Sequence, residues 1–116
     1  MQLIEKPWGQ EELIEVNERY VVKRLTMQKG HRCSLQYHEQ KLETVYLLSG
    51  LLHVYLGDDA QSLQRIEMRP GDSLTIKPRQ VHRMEGQETS VYLEASTSEL
   101  DDVVRLQDDY KRTIQT

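Results

Sequence analysis

Between Tyr20 and Ser96 the chain is divided into short β-rich runs by turn signals, and this spacing restricts the fold more than any other feature of the sequence. The runs "YVVKRLTM", "CSLQYH", "TVYLLS", "LLHVYLG", "SLTIK" and "VYLEAS" are set off by "QKG", "EQKL", "SG", "GDDAQS", "RPGD" and "PRQ". Parallel strands need long crossovers, and connections this short cannot supply them. The pattern therefore predicts an all-β sandwich or barrel. A length of 116 residues fits a single domain over 1–116 with one core. That core must be mostly aliphatic, because the chain has no Phe.

Helix is expected only near the end. In "SELDDVVRLQDDYKR", Ser98 is placed as an N-cap and Asp101 at N3, with Val103, Leu106 and Tyr110 near one helical face. This segment is expected to form a short C-terminal helix covering an open end of the barrel. No catalytic role is assigned to it.

Net charge is −4 and the basic residues are scattered, so no stripe exists to displace counterions from a nucleic-acid backbone. The opening "MQLIEKPWG" has neither a basic leader nor an apolar one. The longest nearly apolar run, "VYLLSGLLHVYL", is broken by Ser49, Gly50 and His53. These features predict no membrane partner and a cytoplasmic protein. Cys33 is the single cysteine, which excludes an internal disulfide and is expected to be a buried small apolar residue.

The chemistry concentrates in "SLQYHEQKLETVYLLSG", Ser34 to Gly50. In a strand, residues two apart share a face, so Gln36 and His38 project together while Leu35 and Tyr37 point the other way. "EQKL" turns the chain, and Glu43 begins the return strand with the parity of Val45 and Leu47. A fourth group comes from "RPGDSLTIKPRQVHRM", which leads to His82. Two imidazoles, a carboxylate and an amide oxygen suit one divalent ion, Zn, Mn, Fe, Co or Ni, rather than Cu(I). His31 beside the Gly30 turn and His53, of opposite parity to Val54 and Leu56, are expected to be ordinary structural residues. Lys41 and Arg83 adjoin the ligand motifs, and Lys23 and Glu94 lie on neighbouring strands, so these four are candidates to surround a substrate.

Gly30 to Gly50 resembles the first motif of the cupin superfamily at every spacing, with Gln36 where the first His usually stands. "PGDSLTIKPRQVH" resembles the second motif, with Lys77 and Arg79 replacing the usual Pro and Gly. Within the superfamily the chain resembles the isomerase domain of type II mannose-6-phosphate isomerases. The resemblance rests on "KPWG" at Lys6, "VVKRLTM" at Val21, "SLQYH" at Ser34, "HRME" at His82 and "ELDDVVRLQDDYKR" at Glu99. In that family Gln is the expected residue at position 36. The chain departs from it at Lys41, where the family has Arg, and at Thr44 and Val45, where it has His-Trp. Lysine keeps the charge but lacks the planar fork.

The resemblance implies a cupin barrel, a double-stranded β-helix or jelly roll, with a short C-terminal helix. It also implies interconversion of mannose 6-phosphate and fructose 6-phosphate. A divalent ion on Gln36, His38, Glu43 and His82 would act as a Lewis acid, with Lys41 and Arg83 catalytic and Lys23 and Glu94 binding substrate. The expected partners are a small sugar phosphate and a second copy of the chain, as a homodimer. The guanylyltransferase domain that often precedes this domain is not in the sequence, so its activity is not expected. The competing expectation is a non-catalytic metal- or sugar-binding cupin, a sensor or accessory protein. An iron dioxygenase is disfavoured by the Gln-first ligand set.

Overall fold

The computed structural model describes residues 2–111, in which eleven strands follow one another without a helix. They are β1 (Gln2–Lys6), β2 (Gly9–Val16), β3 (Val21–Met27), β4 (Leu35–Tyr37), β5 (Glu43–Ser49), β6 (Leu52–Gly57), β7 (Gln64–Met68), β8 (Ser73–Ile76), β9 (Val81–Gly86), β10 (Ser90–Ser96) and β11 (Val104–Gln107). A six-stranded sheet has the order β1-β2-β3-β10-β5-β8, and a five-stranded sheet the order β11-β4-β9-β6-β7. All pairings are antiparallel. Among the described residues no helix is long and apolar enough to cross a membrane.

Side-chain alternation explains why these runs become half-buried strands. In β3, Val21, Lys23, Leu25 and Met27 are buried while Val22, Arg24 and Thr26 are more exposed. In β5, Glu43, Val45 and Leu47 take the inner positions, as their parity predicts. The apolar core joins Trp8, Leu25, Met27, Leu47, Leu52 and Tyr92, among others. Aliphatic side chains and methionine fill most of it, with Trp8 only 5% exposed.

Two glycines are required by space as well as by backbone conformation. Gly50 turns β5 into β6 at φ +95°, and a Cβ there would stand 2.5 Å from both Ser90 Oγ and the Thr89 carbonyl. Gly9 opens β2 directly after the Pro7-Trp8 turn. A Cβ on Gly9 would lie only 1.9 Å from the Thr26 carbonyl oxygen.

The expected C-terminal helix is absent, and β11 runs through its middle instead. Val104 pairs with Tyr37 and Arg105 with Gln36, so this segment supplies backbone partners to β4, which would otherwise be an open edge. Adjacent β-branched Val103 and Val104 suit that extended conformation. Tertiary pairing thus overrides the local capping signal at Ser98.

β1, β2, β7 and β9 also go beyond the strands expected from pattern. β9 lies between β4 and β6 and is buried along almost its whole length, so no alternation marks it. β1 and β11 are the edge strands on the same side of the two sheets. Between them lies a seam, and residues of both strands line the same cavity.

Candidate metal centre and its cavity

Register brings the centre together. Gln36 in β4 stands opposite His82 in β9, and directly opposed residues of an antiparallel pair project from the same face. Glu43, at the start of β5, reaches across from the other sheet. His38 follows the end of β4. Its Nε2 lies 3.0 Å from Glu43 Oε1, and that of His82 lies 3.4 Å from the same oxygen. The two imidazole centroids are 5.0 Å apart, and all three side chains are buried.

Both histidines are oriented by backbone carbonyls. His38 Nδ1 donates to the Asp102 carbonyl, and His82 Nδ1 donates to the Gln80 carbonyl at 2.9 Å. A carbonyl can only accept, so each Nδ1 carries hydrogen and each Nε2 turns its lone pair towards Glu43. Two lone pairs and a carboxylate oxygen, all within 4.8 Å of one another, are acceptors that need a shared cation. Ligand atoms each about 2.1 Å from one ion stand roughly 3.0–3.4 Å apart, which matches the two distances to Glu43. The donor set therefore fits a divalent ion.

Gln36 lines the same cavity. Its Oε1 accepts a hydrogen bond from Ser34 Oγ at 2.5 Å, which leaves the second lone pair of the amide oxygen for another contact.

The surrounding cavity holds about 530 Å³ and contains three of the four other predicted site residues. Lys41 and Glu94 face each other there at 3.8 Å, and Lys23 pairs with Glu11 at 3.1 Å. Burial, then the adjacent Glu43 charge, pushes the Glu94 carboxyl up to about 8 against the pull of Lys41 and Lys23. Burial would also raise Glu43. The His38 and His82 rings beside it, with the Lys41 charge, outweigh that and hold the carboxyl well below its usual range.

Arg83 does not join them. It follows His82 in β9 and points to the opposite face, where its Nε and Nη2 donate to the Cys33 carbonyl at 3.1 and 2.9 Å. Its Nη2 also lies 3.5 Å from Asp109. Arg83 thus ties the C-terminal segment down from outside the cavity, and adjacency in sequence to His82 was misleading because strand neighbours diverge. His53 also lies outside, paired with Glu67 at 3.5 Å, and His31 Nδ1 is 2.8 Å from the Tyr110 hydroxyl. Cys33 is buried, and burial raises its thiol to about 11, so it is an inert wall group.

Four contributors escaped the sequence reading. Asp102 accepts hydrogen bonds from the amides of Glu39, Gln40 and Lys41 at 2.9, 2.8 and 3.0 Å, and its carbonyl orients His38. It therefore shapes the turn between His38 and Glu43. Glu11, Lys6 and Arg105 line the cavity from β2, β1 and β11. Assigning β2 would have revealed Glu11 through its shared parity with Leu13, whereas a helical reading of the tail hid Asp102 and Arg105.

Two facing antiparallel sheets around a buried His–Glu–His set define the cupin class of double-stranded β-helices. An RmlC-like cupin from Shewanella frigidimarina superposes with a TM-score of 0.75 at 15% identity, over 86% of each chain. Bacillus subtilis oxalate decarboxylase, a protein described for its Mn(II) centres, superposes at 0.78 and 19% identity. That match covers 91% of this chain and 30% of the decarboxylase. More specifically, the chain belongs to the family described as mannose-6-phosphate isomerase, C-terminal, which matches residues 2–108.

Curated relatives include the xanthan biosynthesis protein XanB of Xanthomonas campestris pv. campestris, 31% identical over 93% of this chain and 23% of its own length. The mannose-1-phosphate guanylyltransferase ManC of Salmonella typhimurium is 31% identical over 92% of this chain and 22% of its own length. The chain thus spans less than a quarter of the length of these relatives.

Proposed function

We propose that this domain is a metal-dependent aldose–ketose isomerase that interconverts mannose 6-phosphate and fructose 6-phosphate. The observation that carries the reading is the meeting of His38, Glu43 and His82 in one cavity with a facing Glu94–Lys41 pair, in a member of the isomerase C-terminal family. Such a reaction needs an oxygen-polarising centre and a proton carrier side by side, and the cavity offers both.

His38, Glu43 and His82 would hold the ion, with Gln36 as the neutral neighbour. When bound, the ion supplies Lewis-acid polarisation of the sugar oxygens on C1 and C2. Glu94 takes the proton from C2 of the open-chain aldose. The released electron pair becomes the C1–C2 double bond of an enediol as the C1 oxygen gains a proton. Glu94 then returns its proton to C1, while the C2 oxygen, whose own proton is the one passed to the C1 oxygen, becomes the ketose carbonyl. Lys41 keeps its positive charge beside Glu94 and the developing oxyanion, and Lys23, held by Glu11, supplies a second cation one strand away. Both lysine–carboxylate pairs are buried, which strengthens these contacts.

The names of the relatives favour a second reading, in which the domain binds metal or sugar phosphate as an accessory to nucleotidyl transfer. The test is a coupled assay of metal-loaded protein with mannose 6-phosphate. Turnover that disappears in Glu94→Gln with metal content unchanged supports the isomerase. Calorimetric binding of the sugar phosphate without any turnover supports the accessory role.

A further inference from the structure

The cavity has more basic groups than the chemistry above employs. Lys23 and Lys41 are each matched by a buried carboxylate. Lys6 and Arg105 differ in place: they line the cavity from the edge strands of opposite sheets, on the two sides of the seam. Register sets the direction of Arg105. It stands opposite Gln36 on β4, and Gln36 stands opposite His82 on β9, so the three share the inner face as one row. With neighbouring strands ~4.8 Å apart, the Arg105 backbone is about 10 Å from that of His82. Lys6 shares the parity of Ile4, which pairs with inward Glu11. Both residues are half-buried and so keep a route to solvent.

We infer that Arg105 and Lys6 form a phosphate-binding end of the cavity, taking the terminal phosphate monoester of an open-chain sugar whose C1 and C2 lie at the His38–Glu43–His82 end. The inference rests on the isomerase reading for the orientation of the sugar. An open-chain hexose 6-phosphate carries its dianion at the far end of the carbon chain from C1 and C2, which suits the separation across the row. Glu43 and Glu94 repel a dianion from the inner end. The seam offers a guanidinium, whose planar fork matches phosphate oxygens, and an ammonium as a point charge. Asp101 is the acid on the same rim, and it is exposed, so water and salt screen it.

The test uses the metal-loaded full chain. Inorganic phosphate and mannose 6-phosphate are titrated calorimetrically into wild type, Arg105→Gln, Arg105→Lys and Lys6→Gln, and kcat/KM is measured with mannose 6-phosphate and with unphosphorylated mannose. Arg105→Gln is expected to weaken both phosphate ligands by about tenfold or more, with a smaller loss in Lys6→Gln and partial recovery in Arg105→Lys. kcat/KM for mannose should stay unchanged, which a merely structural defect would not allow. If Arg105→Gln does not fold, Arg105→Lys and Lys6→Gln carry the comparison. Wild-type affinity for inorganic phosphate in both Arg105→Gln and Lys6→Gln overturns the inference, as it would if phosphate coordinated the ion instead. Arg105-dependent phosphate binding in a wild type that turns over no sugar sustains the anion site and refutes the isomerase. Turnover of mannose 6-phosphate with unchanged KM in all three variants does the reverse.

Discussion

Replacing Asp102 by alanine should loosen the candidate metal centre without touching a ligand side chain. The Asp102 carboxylate accepts three backbone amides, from Glu39, Gln40 and Lys41, and so closes the turn that sets His38 against Glu43. Hydrogen bonds to a charged acceptor contribute roughly 1.5–3 kcal/mol each when shielded. This turn is exposed enough for its amides to rebond to water, so a contribution of about 1 kcal/mol each is appropriate, or roughly 2–3 kcal/mol for Asp102→Ala. Asparagine retains one acceptor oxygen but turns an NH₂ group towards an amide, so Asp102→Asn should lose about half as much. Urea unfolding at neutral pH, with an unchanged denaturant slope, measures both. Metal affinity should fall by about tenfold as well, because the backbone carbonyl of residue 102 that orients His38, although retained, is no longer held in place by the side-chain contacts. Unfolding free energies for both variants within about 0.5 kcal/mol of wild type would refute the argument, since that is the size of an ordinary surface substitution.

His38→Ala or His82→Ala should abolish stoichiometric metal binding in elemental analysis, whereas His53→Ala, outside the cavity, should leave it intact. Lys41→Arg should keep or raise turnover of mannose 6-phosphate, while Lys41→Ala should add on the order of 2 kcal/mol to the barrier, about thirtyfold in kcat/KM, at constant metal content. Arg79 holds φ +70° at a position where cupins usually have glycine. Arg79→Gly relieves that strain and loses an exposed ion pair to Glu39 and the guanidinium's place 5.9 Å over the Tyr37 ring, so thermal unfolding should show a net gain of about 0.5 kcal/mol. The Asp109 carboxyl is lowered chiefly by hydrogen bonds from Arg32, against partial burial, and further by the Arg32 and Arg83 charges. Its folded value lies below its unfolded one, so its contribution is complete above an unfolded value of about 3.9 and is lost as pH falls through the folded value. Hydrogen exchange in β11 should therefore accelerate below about pH 4, and Asp109→Asn should remove that dependence.

Strand parity alone placed Gln36, Glu43, Val45 and Leu47 on the inner face, because the period of two is a local property of extended chain. The spacing from Gly30 to Gly50 likewise foretold the turn at Gly50, whose φ and crowding against Ser90 leave no room for a side chain. Local sequence also set apart His53, whose parity differs from that of Val54. Tertiary structure decided the rest. The tail around Asp102 and Arg105 carries a respectable helix start, yet it became a strand because β4 needed a partner for its backbone, and no local signal reports an unpaired edge about seventy residues away. Arg83 follows a ligand in sequence and faces away from it in space, since successive strand residues project oppositely. The pairings of Lys23 with Glu11 and Lys41 with Glu94, and the perturbed acidity of Glu94, exist only because two sheets close over charges that would each be solvated in the open chain. Periodicity is written residue by residue, but burial and long-range register are properties of the closed barrel.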